Sequence, residues 1–230
     1  MRVATFLALA LAAVLAGCGG TTQSAGGDTT TAEAATTSAT STSTGAPGGC
    51  KSVSAPQRKP DGGQKAPKTP LEPAKTYTVT IQTNCGSFTI KLDQKQSPHA
   101  TAAFVSLAKS GFFDRTTFHR IVPGFVIQGG DPTGTGMGGP GFSTLDSPPP
   151  AAHYTRGVVA MAKTGAEPPG TAGSQFFVVT ADDAGLPPDY AVIGNVTKGL
   201  PVVMRIGALG NAQEQPTQPV VIARTIVTEG

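Results

Sequence analysis

The spacing of apolar residues changes several times along residues 76–230, and each spacing predicts a different element. Apolar and polar residues alternate over 77–81 and again over 88–92, on either side of an Asn-Cys-Gly sequence at 84–86. Strict alternation places every second side chain on the same face of a strand. The pattern therefore predicts a β-hairpin with one buried face.

Two other stretches follow the spacing of a helix. Phe104 and Leu107 lie three residues apart behind Ser97, which we expect to be the N-cap, with the following proline in the first turn. Gly111 is expected to end this helix. Apolar residues also share one helical face over 200–206, which predicts a second helix.

The remaining apolar runs are short, and Gly- and Pro-rich turns separate them. They predict further strands over residues 117–122, 125–129, 157–162, 175–180, 190–195 and 219–228. Many short strands with only two helices predict a mainly β fold, in which an antiparallel barrel is closed or nearly closed and the helices cover its ends.

Residues 1–75 follow none of these patterns. Arg2 precedes an apolar run over 3–15, which is too short to span a bilayer and predicts a cleaved secretory signal peptide over 1–17. The run ends in Leu-Ala-Gly-Cys, which resembles a bacterial lipoprotein signal and would make Cys18 the lipidated N-terminus. An ordinary signal peptide with an incidental cysteine is the alternative. The lipoprotein interpretation predicts a lipid anchor at the extracytoplasmic face of the bacterial cell membrane.

Two segments follow the signal. Residues 18–49 are almost wholly Thr, Ser, Ala and Gly, a composition that predicts a flexible tether. Residues 50–75 are rich in Pro and Lys and predict an extended or loosely wrapped arm. Its positive excess could contact anionic lipid or wall polymer, and a solvated basic arm is the plainer interpretation. The folded domain is expected to occupy 76–230.

Two cysteines remain besides Cys18. Cys50 and Cys85 would face an oxidising compartment in an exported protein, which makes them candidates to form a disulfide. Two separate thiols are the alternative, because the sequence does not show whether the sulfur atoms meet.

The composition argues against several classes of function. A formal net charge of +3, with no basic helix, does not indicate a nucleic-acid partner. His99, His119 and His153 lack the spacing of a metal site, and Ser174 lacks the Gly-x-Ser-x-Gly setting of a nucleophile. The glycine-rich stretch 129–141 lacks the Lys-Ser/Thr of a phosphate-binding loop, so we interpret it as an irregular loop. We therefore expect no metal and no cofactor. A soluble barrel on a flexible tether needs no partner subunit, so we expect a monomer.

One stretch combines a cation with apolar residues. Residues 118–131 read FHRIVPGFVIQGGD, a strand, a Pro-Gly turn and a second strand. On the first strand Phe118 and Arg120 are predicted to point to one side and His119 to the other. Such a pattern is typical of a site that binds an apolar group and places a guanidinium over it. The alternative is that Arg120 is only a solvated residue, as most strand arginines are. We assign no catalytic role to His119.

The same stretch, followed by VAMAKTG and GSQFFVVT, resembles the cyclophilin family of peptidyl-prolyl isomerases over about residues 76–228. The resemblance implies a closed eight-stranded antiparallel β-barrel capped by two α-helices, and catalysis of rotation about Xaa-Pro bonds. Together with the predicted signal and tether, this activity predicts that the substrates are exported proteins. It implies that Arg120, Phe125 and Gln128 are catalytic. It also implies that proline-containing polypeptides are bound by Val126, Ala162, Lys163, Gln175, Phe177, Leu186 and Tyr190.

The sequence departs from the family pattern at three of these positions or beside them. Lys163 stands where many members have asparagine, Gly185 where well-studied eukaryotic members have tryptophan, and Tyr190 where they have histidine. The missing indole predicts weak binding of cyclosporin. A cyclophilin-like binding module without turnover is one alternative to the enzyme, and a general holdase with a large exposed apolar patch is another.

Overall fold

The computed structural model of the protein describes residues 49–230; the predicted signal peptide, Cys18 and most of the predicted tether lie outside the described residues. The described residues form the strands β1 (Tyr77–Thr83), β2 (Gly86–Leu92), β3 (Thr116–Thr117), β4 (Arg120–Val122), β5 (Val126–Gly129), β6 (Thr144–Leu145), β7 (Val158–Met161), β8 (Thr171–Ala172), β9 (Phe176–Val179), β10 (Val192–Lys198) and β11 (Val221–Glu229). The helices are α1 (Pro98–Lys109) and α2 (Leu200–Gly207). No helix within 49–230 is long and apolar enough to cross a membrane.

The sheet is a curled half-barrel of antiparallel strands. Nine strands pair in the order β3-β11-β1-β2-β10-β7-β9-β5-β4, and β6 pairs with β8 separately. The mainly β fold with two helices is confirmed, but the closed eight-stranded barrel is wrong for this structure. The reason lies in residues 117–122, which do not form the single predicted strand. They divide into β3, which pairs with β11, and β4, which pairs with β5, so the two edges of the sheet are not joined by a ladder.

The hairpin and both helices predicted from the spacing of apolar residues are present in the structure. In the hairpin, β1 and β2 pair from Thr78 with Lys91 to Thr83 with Gly86. Ser97 is the N-cap residue of α1 and a proline follows in the first turn, as predicted, but the Ser97 side chain makes no capping bond. Its hydroxyl donates to the carbonyl of Val192 at 2.7 Å instead. The bond ties the start of α1 to β10.

The sheet buries both of its faces around β9, which explains the uninterrupted apolar sequence of that strand. Phe176 and Val178 project into the main core, whereas Phe177 and Val179 project into a second apolar cluster on the other face. The main core contains phenylalanines packed edge to face, such as Phe104, whose ring centroid lies 5.3 Å from that of Phe176. The second cluster underlies the site described next.

The arm, residues 50–75, forms neither helix nor strand, but it is fastened to the domain. The sulfur atoms of Cys50 and Cys85 lie 2.08 Å apart, as in a disulfide. The Lys59 ammonium donates to the carbonyls of Gly111 and Phe112 at 3.0 and 2.7 Å, just beyond the end of α1. Cations stabilise the carbonyl end of a helix.

Candidate active site

A row of side chains crosses three adjacent strands. Arg120 of β4 lies opposite Gln128 of β5, and Gln128 lies opposite Phe177 of β9. Residues that face each other across an antiparallel pair project from the same face of the sheet. The register therefore brings a cation, an amide and an aromatic ring together on one face.

A tight turn fixes that register. β4 and β5 are joined through Pro123 and Gly124, and Gly124 has a φ of 69°, which glycine adopts without the strain of a Cβ atom. The amide of Phe125 donates to the carbonyl of Val122 at 3.0 Å and closes the turn. Phe125 consequently follows the turn directly and lies at the edge of the same face.

The sequence assigned Phe118 to the side of Arg120, and this assignment is wrong. Phe118 is fully buried in the main core, where Ile121 also lies. Its ring centroid is 5.9 Å from that of Phe176. The alternation predicted for one continuous strand fails because Phe118 and the next residue lie between β3 and β4.

The polar and apolar residues of this face surround a cavity of about 190 Å³. We call it the apolar cavity. Its lining consists of Arg120, Phe125, Val126, Gln128, Ala162, Lys163, Phe177, Leu186 and Tyr190. Of the residues predicted to be catalytic or substrate-binding, only Gln175 lies outside this lining. The structure thus brings together residues that the sequence scatters over three strands and three loops.

A chain of hydrogen bonds runs along the edge of the apolar cavity. Glu214 accepts a hydrogen bond from Arg120 Nε at 2.7 Å, and Arg120 Nη1 donates to Gln128 Oε1 at 3.3 Å. Gln128 Nε2 donates to Gln175 Oε1 at 2.9 Å. Gln175 Nε2 in turn donates to the carbonyl of Gly136 at 2.9 Å. Gln175 therefore supports the site through Gln128, and the guanidinium is held at two of its three nitrogens.

Lys163 and Tyr190, two of the three departures from the family pattern, contact each other. The Lys163 ammonium lies 5.5 Å from the centroid of the Tyr190 ring, within the range of a cation–π interaction. It also donates to the carbonyls of Thr164 and Glu167 at 3.3 and 3.2 Å. Only 5% of the Lys163 side chain is exposed, so the lysine forms part of the cavity wall and does not extend into solvent.

Tyr154, which sequence reasoning missed, holds Tyr190 in place. The Tyr154 hydroxyl donates to the carbonyl of Tyr190 at 2.8 Å and accepts from its amide at 2.9 Å. Burial raises the pKa of the Tyr154 hydroxyl, which favours the neutral form that can donate this bond. The Tyr190 ring also meets the Phe177 ring edge to face at 5.4 Å between centroids.

Gly185 lies in an exposed loop beside Leu186. A Cβ atom at this position would meet no atom within 4 Å, and its φ is 61°. The site is therefore open where other family members carry an indole, and the backbone conformation there is one that favours glycine.

Asp131 is a buried carboxylate that organises the glycine-rich loop after β5. It accepts hydrogen bonds from the amide and hydroxyl of Thr133 at 2.7 and 2.8 Å, and from the amide of Thr135 at 2.9 Å. Burial alone would raise the pKa of Asp131, but these hydrogen bonds outweigh it and hold the pKa below its ordinary value. The loop ordered in this way supplies the carbonyl of Gly136 that fixes Gln175.

His119 lies beside this loop, away from the apolar cavity. Burial lowers the pKa of the His119 imidazole, and the nearby carboxylate of Asp131 opposes that shift. The neutral ring is therefore the favoured form. Within residues 49–230 no three His, Cys, Asp or Glu side chains gather in an arrangement that could hold a metal ion.

Comparisons with known proteins agree on one family. Residues 78–227 match the sequence model described as cyclophilin type peptidyl-prolyl cis-trans isomerase/CLD. A peptidyl-prolyl cis-trans isomerase of Arabidopsis thaliana is 36% identical over 156 residues, which are 66% of this chain and 93% of the plant protein. The peptidyl-prolyl cis-trans isomerase-like 1 of Aspergillus fumigatus is 38% identical, over 66% of this chain and 95% of its own length.

A solved structure gives the same result. The crystal structure of a Cryptosporidium parvum cyclophilin type peptidyl-prolyl cis-trans isomerase superposes with a TM-score of 0.61 at 32% identity, covering 66% of this chain and 98% of the parasite protein. The sequence match, the structural match and a cation-edged apolar cavity built by the matched residues lead to one conclusion. The chain belongs to the cyclophilin-type peptidyl-prolyl cis-trans isomerases, and its activity is the cis-trans isomerisation of peptidyl-prolyl bonds.

Proposed function

We propose that Arg120 carries the isomerisation by donating a hydrogen bond to the proline nitrogen while the peptide bond is twisted. Rotation about a peptide bond is slow because resonance sets a barrier of ~18–20 kcal/mol. At the twisted midpoint this resonance is lost, and the lone pair becomes localised on the nitrogen. A cationic donor stabilises that midpoint more than the planar ground state, which is the condition for catalysis.

The observation that carries this proposal is the fixed position of the Arg120 guanidinium. Its Nε is bound by Glu214 and its Nη1 by Gln128, whereas Nη2 has no hydrogen-bond partner among the described residues. The guanidinium borders the apolar cavity. A donor that is already oriented needs no reorganisation when the lone pair develops.

The apolar cavity suits a proline ring. Phe125, Phe177 and Leu186 offer apolar surface, and the cavity holds about 190 Å³. A related Cryptosporidium parvum cyclophilin, 33% identical, was crystallised in the presence of the dipeptide Ala-Pro. We propose that proline-containing polypeptides bind here, with the ring in the apolar cavity and the preceding carbonyl free to rotate.

Arg120 and the apolar cavity need to supply only a modest rate enhancement. A differential stabilisation of ~6 kcal/mol accelerates rotation ~10⁴-fold. One charged hydrogen bond together with orientation of the ring is enough to supply a stabilisation of this size.

We further propose that the substrates are exported proteins and that the isomerase acts as a lipid-anchored monomer outside the cell membrane. The Leu-Ala-Gly-Cys sequence ending at Cys18 supports the anchor. A disulfide between Cys50 and Cys85 supports an oxidising compartment, because such bonds persist mainly in exported proteins. Loss of membrane association in Cys18→Ala is the expected result; a variant that still fractionates with membranes would contradict the anchor.

The experiment that tests the catalytic proposal compares the full chain in detergent with its Arg120→Ala and Arg120→Lys variants. Isomerisation of an Xaa-Pro peptide is measured by NMR exchange, and folding by circular dichroism. We expect Arg120→Ala to lose about 100-fold or more in kcat/KM with the fold intact. We expect Arg120→Lys to recover little, because an ammonium does not reproduce the planar fork of donors.

Two results would overturn the proposal in different ways. A wild-type rate in Arg120→Ala would remove Arg120 from the mechanism while leaving the isomerase. A folded wild type that binds the peptide without accelerating exchange would favour a cyclophilin-like binding module.

A further inference from the structure

A second cavity, of about 360 Å³, adjoins the apolar cavity. Gln128, Ala162 and Lys163 line both cavities. A polypeptide with its proline ring in the apolar cavity would therefore pass the second cavity within a few residues. The side chains around the second cavity can select the sequence around the proline.

The arm forms part of the wall of the second cavity. The amide of Gly62 donates to the carbonyl of Gly139 at 3.0 Å, and the amide of Gln64 donates to the carbonyl of Pro140 at 2.9 Å. The carboxylate of Asp61 accepts from the amide of Gly139 at 2.7 Å. These bonds hold the arm beside the glycine-rich loop and place Asp61 at the cavity.

Contacts of the residues that precede Asp61 in the arm also fix its position. The amide of Lys59 donates to the carbonyl of Pro132 at 2.8 Å. The Lys59 ammonium is held at the end of α1, and Cys50 is held at Cys85. Close packing adds to this, since a Cβ atom on Gly141 would lie 3.0 Å from the Cα atom of Gly62. Asp61 therefore belongs to the domain surface and not to a freely moving arm.

The charges around the second cavity favour a cation. Asp61 and Glu167 line it with carboxylates. Among the described residues Lys163 is the only cation that lines it, and the Lys163 ammonium is already bound to the carbonyls of Thr164 and Glu167. Asp61 forms no ion pair within residues 49–230 and uses one carboxylate oxygen for Gly139, which leaves the other oxygen for a ligand.

We propose that the arm is a wall of the substrate groove, and that Asp61 makes the isomerase prefer prolines with a lysine or arginine nearby in the substrate sequence. This inference rests on the proposed function of the apolar cavity. Asp61 precedes residues 78–227, which match the family model, so the preference would be a property of this chain's own N-terminal segment.

The test measures selectivity with single-proline peptides. Each peptide carries Lys, Gln or Glu at one of the three residues on either side of the proline, in a background of Ala, Ser and Gly. The full chain in detergent is compared with Asp61→Asn, which can still accept the hydrogen bond from Gly139 but has no charge. Glu72→Gln, which removes a carboxylate from the same arm away from both cavities, is the matched control.

At the position that reaches the second cavity, we expect the wild type to prefer the Lys peptide over the Glu peptide by about three- to fivefold in kcat/KM at low salt. The preference should fall towards one in Asp61→Asn, persist in Glu72→Gln and weaken with added salt. The rate for the Gln peptide should be the same in the wild type and in Glu72→Gln, and in each protein it is the reference for the two charged peptides.

The outcomes separate this inference from the isomerase mechanism. Equal rates for the Lys and Glu peptides in an active wild type would overturn the role of Asp61 and leave the isomerase intact. A preference for the Lys peptide that persists in Asp61→Asn would also show that Asp61 does not select cations, and would leave the isomerase intact. If no peptide is isomerised, the catalytic proposal fails, and the ratio of peptide Kd values in wild type and Asp61→Asn, from NMR titration, still decides whether Asp61 selects cations.

Discussion

Glu214 binds Arg120 from a loop that lies 94 residues further along the chain, with 2.7 Å between Oε2 and Nε. The loop is built to hold that carboxylate. Glu214 has a φ of 62°, its carbonyl accepts from the amide of Ile121 at 2.8 Å, and its amide donates to the carbonyl of Asn211 at 3.0 Å. A left-handed conformation outside glycine persists where surrounding contacts enforce it. Glu214 therefore positions the guanidinium, and Gln128 holds it on the other side.

Substitution of Glu214 should lower turnover more than stability. In Glu214→Ala, the guanidinium loses its fixed partner at Nε, and we expect kcat to fall about tenfold with little change in KM. The two side chains are 36% and 49% exposed, so the ion pair should contribute at most about 1 kcal/mol to the free energy of unfolding. Peptide exchange kinetics and urea denaturation measure the two effects separately.

Glu214→Gln is the informative companion, because the amide oxygen can still accept from Arg120 Nε. It should retain more of the wild-type kcat than Glu214→Ala. Asp182→Asn removes a carboxylate that pairs with Arg156 on the surface, and serves as the control for a general change of charge. Wild-type kcat in Glu214→Ala would show that Gln128 alone positions the guanidinium.

The contact between Lys163 and Tyr190 predicts that two departures from the family pattern are coupled. Lys163→Asn and Tyr190→His each remove one partner from a cation–π pair whose lysine side chain is nearly buried. We expect a coupling energy of about 0.5–2 kcal/mol in a double-mutant cycle of the free energy of unfolding. Lys163→Met removes the ammonium but keeps the apolar side-chain stem, so it distinguishes the contribution of the charge from that of the packing. Additive effects within about 0.3 kcal/mol would mean that the two side chains are neighbours without interaction.

Local sequence patterns could predict the elements that carry the site. Period-two alternation gave β1 and β2, helical spacing gave α1 and α2, and the run from Phe118 to Asp131 gave the hairpin that pairs Arg120 with Gln128. These features depend on residues close together in the chain. The family motifs added side chains from distant strands, such as Phe177, which line the same cavity.

Other parts of the site have no local pattern that could reveal them. Glu214 and Asp61 lie in irregular segments and reach the site only through tertiary contacts. The break between β3 and β4 depends on two strands pairing with different partners, which the continuous run of residues 117–122 concealed. Asp131 looks like a loop carboxylate in the sequence, and its burial against four donor groups is visible only once the chain is folded.

Removal of the covalent link between Cys50 and Cys85 should destabilise the domain. The two residues are separated by 35 positions, and closing a loop of that length stabilises by about 4 kcal/mol in the chain-entropy model. We expect the paired Cys50→Ala, Cys85→Ala variant to lose about 2–4 kcal/mol in urea denaturation, with reduction by dithiothreitol giving a similar loss. Identical denaturation midpoints with and without dithiothreitol would contradict the disulfide.

The pH dependence of stability should reflect His119. Burial holds the pKa of its imidazole below the ordinary value of 6.5, so the unfolded chain takes up a proton before the folded one does. The free energy of unfolding should therefore be constant above about pH 7 and fall as the pH drops below 6.5, by at most about 1.4 kcal/mol per unit.

Urea denaturation between pH 5.5 and 7.5 measures this effect, and the lowered pKa of Asp131 keeps its titration outside the window. His119→Gln should remove most of the slope. Over the neutral range kcat/KM should change little, because Arg120 stays ionised. A bell-shaped rate profile centred near neutrality would instead give a histidine a part in catalysis.

Gly185 provides a test of the open end of the site. The resemblance to cyclophilins implies that an indole at this position contacts cyclosporin, so we expect the wild type to bind cyclosporin weakly. Gly185→Trp should increase the affinity for cyclosporin about tenfold or more, since a side chain there has open space beside Leu186.

The φ of 61° at Gly185 should make the substitution cost about 1 kcal/mol of stability. Gly185→Ala is the control, because it carries the same strain without the indole. Isothermal titration of the three proteins measures the affinities. A tight, stoichiometric complex with the wild type would show that the rest of the cavity binds cyclosporin without the indole.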